Sequence, residues 1–233
     1  MRIHGGGIST SLQNTQAPIS GQAHQAPTVG EQVTQALFGK GPPPLLDPAR
    51  FPEFAAMLKQ LGRFRNKFSV LSGEDERDFS LHLADSDTAH IDGEGRIYLG
   101  AGFLRRNANN PAVVIGALAH EIGHRPLRWK GRRGAHQQQL TLAEMNELCQ
   151  IEETAADLFA GEALAELGIS CEPLIEFLTF HEDGPHPRYL PALDRGEIIR
   201  QAHARRAAAI KQRKQIFPNY HRHKGVRSYI SKL

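Results

Sequence analysis

Apolar residues first recur at a helical spacing near residue 50. Phe51, Phe54, Leu58 and Leu61 lie three or four positions apart, and Pro52 suits the first turn of a helix. The preceding 45 or so residues show no such period. The pattern therefore predicts a folded domain that begins near residue 46 with a helix.

Further helices are predicted downstream. In NPAVVIGALAHEIGHRPL, Asn110 is placed to cap a helix N-terminus. In TLAEMNELCQIEETAADLFAGEALAELG, Thr141 and Glu144 match a capping box and Gly168 marks the end of the helix. A weaker helix is predicted in CEPLIEFLTF, and a basic helix after Pro191. The folded part is therefore expected to be mostly helical.

One stretch alternates apolar and polar residues instead. DFSLHLADSDTAHIDGEGRIYLGAGFL shows this alternation on both sides of DGEG. Alternation around a glycine-containing turn is typical of a β-hairpin. Together with the helices, it predicts an α+β fold that is mostly helical and contains a small antiparallel sheet.

The first 45 residues are rich in Gly, Ser, Gln, Thr and Pro, and residues 1–30 contain no acidic side chain. Such a composition buries too little apolar surface to offset chain entropy, so residues 1–45 are predicted to be a disordered polar leader. Two interpretations of the leader stay open. It is a linker, or it is a secretion signal, since its composition resembles the signals of bacterial type III effectors.

Charge is concentrated at the other end of the chain. The formal net charge is only +3, yet no acidic residue follows Glu197, while arginine and lysine recur to the C-terminus. Residues 206–233 are therefore predicted to be a basic tail. Such a tail is either a solvated helix or a binding element for nucleic acid or another acidic surface.

Apolar runs and cysteines bear on where in or outside the cell the protein acts. No run approaches the roughly 18 apolar residues of a membrane span, and the N-terminus lacks the apolar region of a secretory signal peptide. Cys149 and Cys171 are too few for a disulfide framework. The sequence predicts a soluble protein that is cytoplasmic or is exported by a non-classical route, for which type III secretion is one candidate.

Candidate catalytic residues lie in the predicted helix that begins at Asn110. His120 and His124 are four residues apart, so both imidazoles project from one helix face and match two corners of a zinc tetrahedron. Glu121 stands beside them, as in the H-E-x-x-H arrangement in which the glutamate acts on a zinc-bound water. By themselves, these residues are also compatible with two structural histidines in a core helix.

A third ligand is predicted in EETAAD of the next helix. Glu153 and Asp157 lie on one helix face, so Glu153 can complete a three-ligand zinc site and Asp157 can hold a ligand histidine by a hydrogen bond. Glu152 is the competing ligand, but no carboxylate follows it four residues later. Helical phase therefore favours Glu153.

These motifs resemble a family. HEIGH matches H-E-x-x-H, and Glu153, Ala156 and Asp157 match E-x-x-A-D; in this order they resemble the zinc metallopeptidases that include HtpX and the CAAX prenyl proteases. The segments DTAHIDGEGRIYLGAGFL and GPHPRYLPALDRGEIIRQA are also similar to that family. The resemblance covers roughly residues 50–205 and implies a zincin-like metallopeptidase domain, here assigned to residues 46–205. Many members carry transmembrane helices, which this sequence lacks, so membrane substrates are not implied.

The resemblance implies a zinc-dependent endopeptidase that acts on a protein or peptide substrate. One zinc ion would be held by His120, His124 and Glu153, with Glu121 as the general base. Two alternatives stay open: a catalytically inactive zinc-binding interaction module, and a polyanion-binding protein that acts through its basic C-terminal tail. The intact Glu121 speaks against the inactive module, because holding a metal requires no general base.

Further expectations concern the oxyanion, the substrate and a cysteine near the site. His186 is the candidate donor to the developing oxyanion, with Tyr189 and Arg195 behind it. The strand GRIYLGAG is expected to form the sheet edge that pairs with an extended substrate. Cys149, one helical turn before Glu153, is expected to pack as a small buried residue under the site.

Overall fold

The structure is a computed structural model that describes residues 27–39, 41–126, 139–181 and 184–216. The helices are α1 (Val29–Phe38), α2 (Pro52–Ser72), α3 (Ala101–Arg106), α4 (Pro111–Gly123), α5 (Leu142–Leu167), α6 (Glu172–Phe180) and α7 (Ala192–Ile216). The strands are β1 (Ser80–Ala84), β2 (Ala89–Ile91) and β3 (Arg96–Gly100). The predicted α+β class is confirmed: helices dominate, and the sheet is small.

The sheet is mixed, so the prediction of an antiparallel sheet is wrong in part. The strand order is β1-β3-β2, with β2 antiparallel and β1 parallel to β3. The hairpin around DGEG is confirmed. β3 is the central strand and therefore cannot be the edge that was expected to receive a substrate. On its outer side β1 pairs with residues 44–46, which leaves β2 as the other edge.

The hairpin turn is held by Asp92. Its Oδ1 accepts the backbone N–H groups of Glu94 (2.9 Å) and Arg96 (3.0 Å), and its Oδ2 accepts the Tyr98 hydroxyl at 2.9 Å. Gly95 adopts a φ of 77°, which a residue with a side chain rarely tolerates. These interactions fix the register of β2 against β3.

The helices pack in layers around α4 and α5. α4 contacts α2, α5 and α6, and α5 contacts α7 along much of its length. Leu118, Ile122, Leu164 and Ile199 are fully buried where these helices meet. At the crossing of α4 and α5, a Cβ on Gly123 would lie 2.9 Å from the Cα of Ala156. The absence of a side chain at Gly123 thus lets the two helices approach closely.

The boundaries of the long helices largely match those predicted from the sequence. The Thr141–Glu144 capping box is present, and α5 ends at Gly168, which has a φ of 68°. The helix predicted to continue through HRPL is shorter in the structure. α4 ends at Gly123, because Arg125 has a φ of 47°, outside the helical region. Asn110 lies at the N-cap of α4 but makes no capping hydrogen bond through its side chain.

The predicted disorder of residues 1–45 is wrong for α1. Thr28 and Glu31 form a capping box, and Val33 and Phe38 are buried. The helix propensity of this segment is modest, and packing against α5 stabilises the helix further. The remainder of the predicted leader, residues 1–26, lies outside the described residues.

At the C-terminal end, α7 runs without interruption through residue 205, the predicted domain boundary, to Ile216. Residues 217–233 of the predicted basic tail lie outside the described residues. Within the described ranges, no helix combines the length and apolar character needed to cross a membrane.

Candidate metal centre

α4 and α5 bring three predicted ligands together. One donor atom each from His120, His124 and Glu153 lies within 4.8 Å of the others. The Nε2 atom of His120 is 3.2 Å from Oε2 of Glu153, and the Nε2 atom of His124 is 3.8 Å from Oε1. Glu152 is only half-buried and is not part of this group, so the geometry agrees with the choice of Glu153 by helical phase.

Asp157 orients the first histidine. Its Oδ1 lies 2.9 Å from Nδ1 of His120, as predicted from the spacing of the acidic residues on α5. Because Asp157 is buried and accepts hydrogen bonds, it favours the imidazole tautomer that carries a proton on Nδ1. In the neutral tautomer, the lone pair of His120 Nε2 then faces the carboxylate of Glu153.

Arg195 of α7 completes a row of hydrogen-bonded side chains, His120–Asp157–Arg195. Its Nε and Nη2 atoms donate to Oδ2 (2.7 Å) and Oδ1 (2.9 Å) of Asp157. Two parallel N–H···O bonds of this kind restrict a carboxylate more than a single bond does. The sequence placed Arg195 behind His186, whereas the structure places it behind Asp157.

The electrostatics of the group favour a cation. Burial works to lower the pKa of His120, but the carboxylates of Asp157 and Glu153 outweigh it and raise that pKa to about 10. Burial works to raise the pKa of Glu153, but His124, His120 and Arg195 keep it below its ordinary value. Burial lowers the pKa of His124 to about 4, so this imidazole is neutral at pH 7.

The two histidines differ in how their ring nitrogens are paired. Protonated His120 has Glu153 Oε2 within 3.2 Å of its Nε2 atom, whereas His124 Nδ1 is buried without a hydrogen-bond partner among the described residues. A cation bound between His120 and Glu153 would take the place of the Nε2 proton of His120 and keep the buried carboxylate compensated. Two imidazole nitrogens and one carboxylate oxygen are the donor set of many catalytic zinc sites, so these residues fit zinc.

Glu121 lies next to the ligands in sequence and shares their buried environment. Burial raises the pKa of Glu121 to about 7. α4, the helix that carries Glu121, contacts β2, an edge strand of the sheet. Burial thus favours the protonated form of Glu121 more than in an exposed glutamate.

The predicted oxyanion donors lie on the segment before α7. His186 is exposed, and its Nδ1 accepts the backbone N–H of Arg188 at 3.2 Å. Burial raises the pKa of Tyr189 above its usual range, and the charges of Glu153 and Glu121 raise it further. The guanidinium of Arg195 lies 5.3 Å from the centre of the Tyr189 ring and 3.9 Å from Glu153, which links Tyr189 to the candidate site. His186 packs against the ring of Tyr189, with 4.8 Å between the ring centroids.

Cys149 is fully buried, as expected for a packing residue, and burial raises the pKa of its thiol. The residue that the sequence analysis missed is Phe38, whose ring lies edge-on to His124 with 5.5 Å between the centroids. The T-x-x-E pattern at Thr28–Glu31, ahead of the apolar residues of α1, could have revealed the helix that carries Phe38.

Comparisons with protein-family models and with curated protein sequences found no match. No family is therefore identified for the chain, and its similarity to the HtpX-like peptidases stays a prediction.

Proposed function

We propose that the protein is a zinc-dependent endopeptidase with one zinc ion per chain. The observation that carries the proposal is the group of His120, His124 and Glu153, whose donor atoms lie within 4.8 Å of one another. Three protein ligands leave one position for water or substrate, which is the arrangement of catalytic zinc sites. Glu121, buried beside this group, supplies the general base.

Each side chain has a distinct task. A bound zinc ion acidifies water and polarises a carbonyl group. Glu121 accepts the proton of the attacking water and passes it to the leaving amine. Asp157 and Arg195 hold His120 in the orientation that presents Nε2 to the metal.

A peptide substrate fits the surroundings of Glu121. β2 is an edge strand, and it contacts α4, the helix that carries Glu121. An extended peptide that pairs with this edge would bring its backbone next to the base, with main-chain hydrogen bonds supplying affinity. Tyr189, whose ring lies against Arg195 beside Glu153, is our candidate donor to the oxyanion, in place of His186.

The test compares zinc-loaded native protein with zinc-loaded Glu121→Gln on a peptide library, with new termini identified by mass spectrometry. We expect cleavage by the native protein and none by the variant, although both bind zinc. Equal cleavage would contradict the role of Glu121. Zinc binding without any cleavage by the native protein would favour the alternative of an inactive zinc-binding module.

Export by a bacterial type III system is a separate proposal that rests only on the composition of the leader. It is tested by fusing residues 1–45 to a translocation reporter in a secretion-competent strain and in a matched secretion-deficient strain. Signal in the competent strain alone supports export. Equal signal in the two strains contradicts it.

The basic end of α7 supports a second candidate function, polyanion binding. Arg195, Arg200 and Arg206 pair with acidic side chains of α5 and α6. Farther along, Lys211, Arg213 and Lys214 are exposed, and in the part of the chain that the structure describes no ion pair joins them. Unpaired cations on a projecting helix can bind a polyanion through counterion release.

Duplex DNA is the probe for this second function. We expect salt-sensitive binding that weakens when Lys211, Arg213 and Lys214 are replaced by glutamine. The matched control replaces three exposed cations of α2, Lys59, Arg63 and Lys67, by glutamine, which removes the same charge and should leave binding unchanged. Absence of binding, or equal loss in both variants, would contradict a specific role for α7.

A further inference from the structure

The two histidines of the candidate metal centre are held in different ways. His120 donates from Nδ1 to Asp157, which Arg195 holds in turn. His124 has no comparable partner: its Nδ1 is buried and makes no hydrogen bond within the described residues. Because metal-binding histidines usually donate their second N–H to a carboxylate, carbonyl or water, the orientation of His124 requires another explanation.

An aromatic contact supplies that explanation. The ring of Phe38 lies edge-on to the ring of His124, with 5.5 Å between the centroids and 79° between the planes. Phe38 is 7 % exposed, and the side chain of His124 is 6 % exposed. The ring of His124 also meets the ring of His120, with 4.8 Å between the centroids. Packing between two rings therefore limits the rotation of the His124 imidazole.

Phe38 is itself held in place through the rest of α1. Gln32 Oε1 accepts the backbone N–H of Leu140, just before α5, at 3.1 Å. Arg188 Nη1 donates to the backbone carbonyl of Ala36 at 2.7 Å, and Val33 is completely buried. α1 is therefore tied both to the helix that carries Glu153 and to the segment that precedes α7.

We propose that Phe38 is a positioning residue of the metal centre, which holds His124 by packing where no polar group of the described residues binds its Nδ1 atom. α1 is then a working part of the zinc site, although the sequence places it outside the peptidase-like region. The inference rests on the proposed zinc site. It requires zinc affinity to depend on the size of the side chain at position 38, because the contact is one of shape and not of hydrogen bonding.

The experiment measures metal binding and needs no substrate. Metal-free protein is titrated with Zn²⁺ against a competing chelator, and separately with Co²⁺ while visible absorption is recorded. The variants are Phe38→Ala and Phe38→Leu. The matched control is Phe54→Ala, which removes another buried phenylalanine, one that contacts Phe51 and Arg105.

For Phe38→Ala we expect zinc affinity to fall by about 10- to 100-fold, the usual effect of removing a group that orients a ligand. The Co²⁺ absorption bands should also change, since they report ligand geometry. Phe38→Leu, which retains apolar bulk, should lose less affinity. Phe54→Ala should lower thermal stability while leaving both metal readouts as in the native chain.

The outcomes separate this inference from the zinc site on which it rests. If Phe38→Ala binds both metals as the native protein does, the inference alone is wrong. If Phe54→Ala lowers metal affinity as much as Phe38→Ala, the effect is general destabilisation and the inference is again wrong. If the native protein binds neither metal, the proposed zinc site is wrong and the inference falls with it.

Discussion

The Nδ1 atom of His120 lies 2.9 Å from Oδ1 of Asp157, and the same carboxylate accepts two N–H groups of Arg195. This row links α4, α5 and α7 through buried polar side chains. It restrains one proposed metal ligand by hydrogen bonds, while the other, His124, is restrained by ring packing. The two ligands should therefore respond to different substitutions.

Replacing Asp157 by alanine should lower zinc affinity by about 10- to 100-fold, because His120 loses the acceptor that fixes its tautomer and orientation. Asp157→Asn should retain part of the affinity, since its amide oxygen can still accept the Nδ1–H bond. The measurement is zinc competition with a chelator. Unchanged affinity in Asp157→Ala would show that the row of hydrogen bonds does not support the site.

Replacing a glycine by alanine should have opposite effects on stability at a tightly packed and at an open helix position. Gly123→Ala would push a Cβ against Ala156 and should destabilise the fold by about 1–3 kcal/mol. Gly62→Ala on α2, where a Cβ meets nothing within 4 Å, should stabilise it by about 0.5–1 kcal/mol. Urea unfolding of both variants checks the signs. A neutral Gly123→Ala would mean that the helix crossing tolerates expansion.

The sequence was informative where the signal is local. The spacing of His120 and His124 and the helical phase of Glu153 follow from the helix period, so the candidate ligand group was predictable. The parallel pairing of β1 with β3 depends on contacts between distant residues and leaves no trace in alternation. The contact of Phe38 with His124 likewise joins distant parts of the chain and could not be predicted, whereas α1 itself carries a local signal in the capping pattern of Thr28 and Glu31.

Asp92 predicts an acid-dependent contribution to stability. Burial works to raise its pKa, but hydrogen bonds from Arg96, Glu94 and Tyr98 outweigh it, and the pKa lies below its usual value. A depressed carboxyl pKa adds stability that is fully present above the unfolded pKa of about 4 and is lost as the pH falls further. Asp92→Asn should therefore be less stable than the native chain at pH 7 by about 1–3 kcal/mol.

The measurement is the free energy of unfolding of both proteins between pH 7 and pH 3. The difference between native chain and Asp92→Asn should be constant near neutrality and should shrink below about pH 4. A difference that stays constant to pH 3 would contradict the assigned role of the Asp92 carboxylate. A difference that grows with acidity would contradict the direction of its pKa shift.

Two N-terminal deletions should behave differently. Removing residues 1–26 takes away none of the described contacts, so zinc affinity and melting temperature should match those of the full chain. Removing residues 1–39 deletes Val33 and Phe38, exposes the surface of α5 that α1 covers, and should lower both quantities. Equal behaviour of the two deletions would contradict the assignment of α1 to the folded domain.

Zinc per chain in purified protein tests the central claim most directly, in the native sequence, Glu153→Ala and Glu152→Ala. The account predicts about one zinc in the native protein, a sharp loss in Glu153→Ala and no loss in Glu152→Ala, since three protein ligands define such a site. Circular dichroism of each variant checks that its fold is retained. Native protein that binds no zinc, or a folded Glu153→Ala that binds as much as the native protein, would contradict the account.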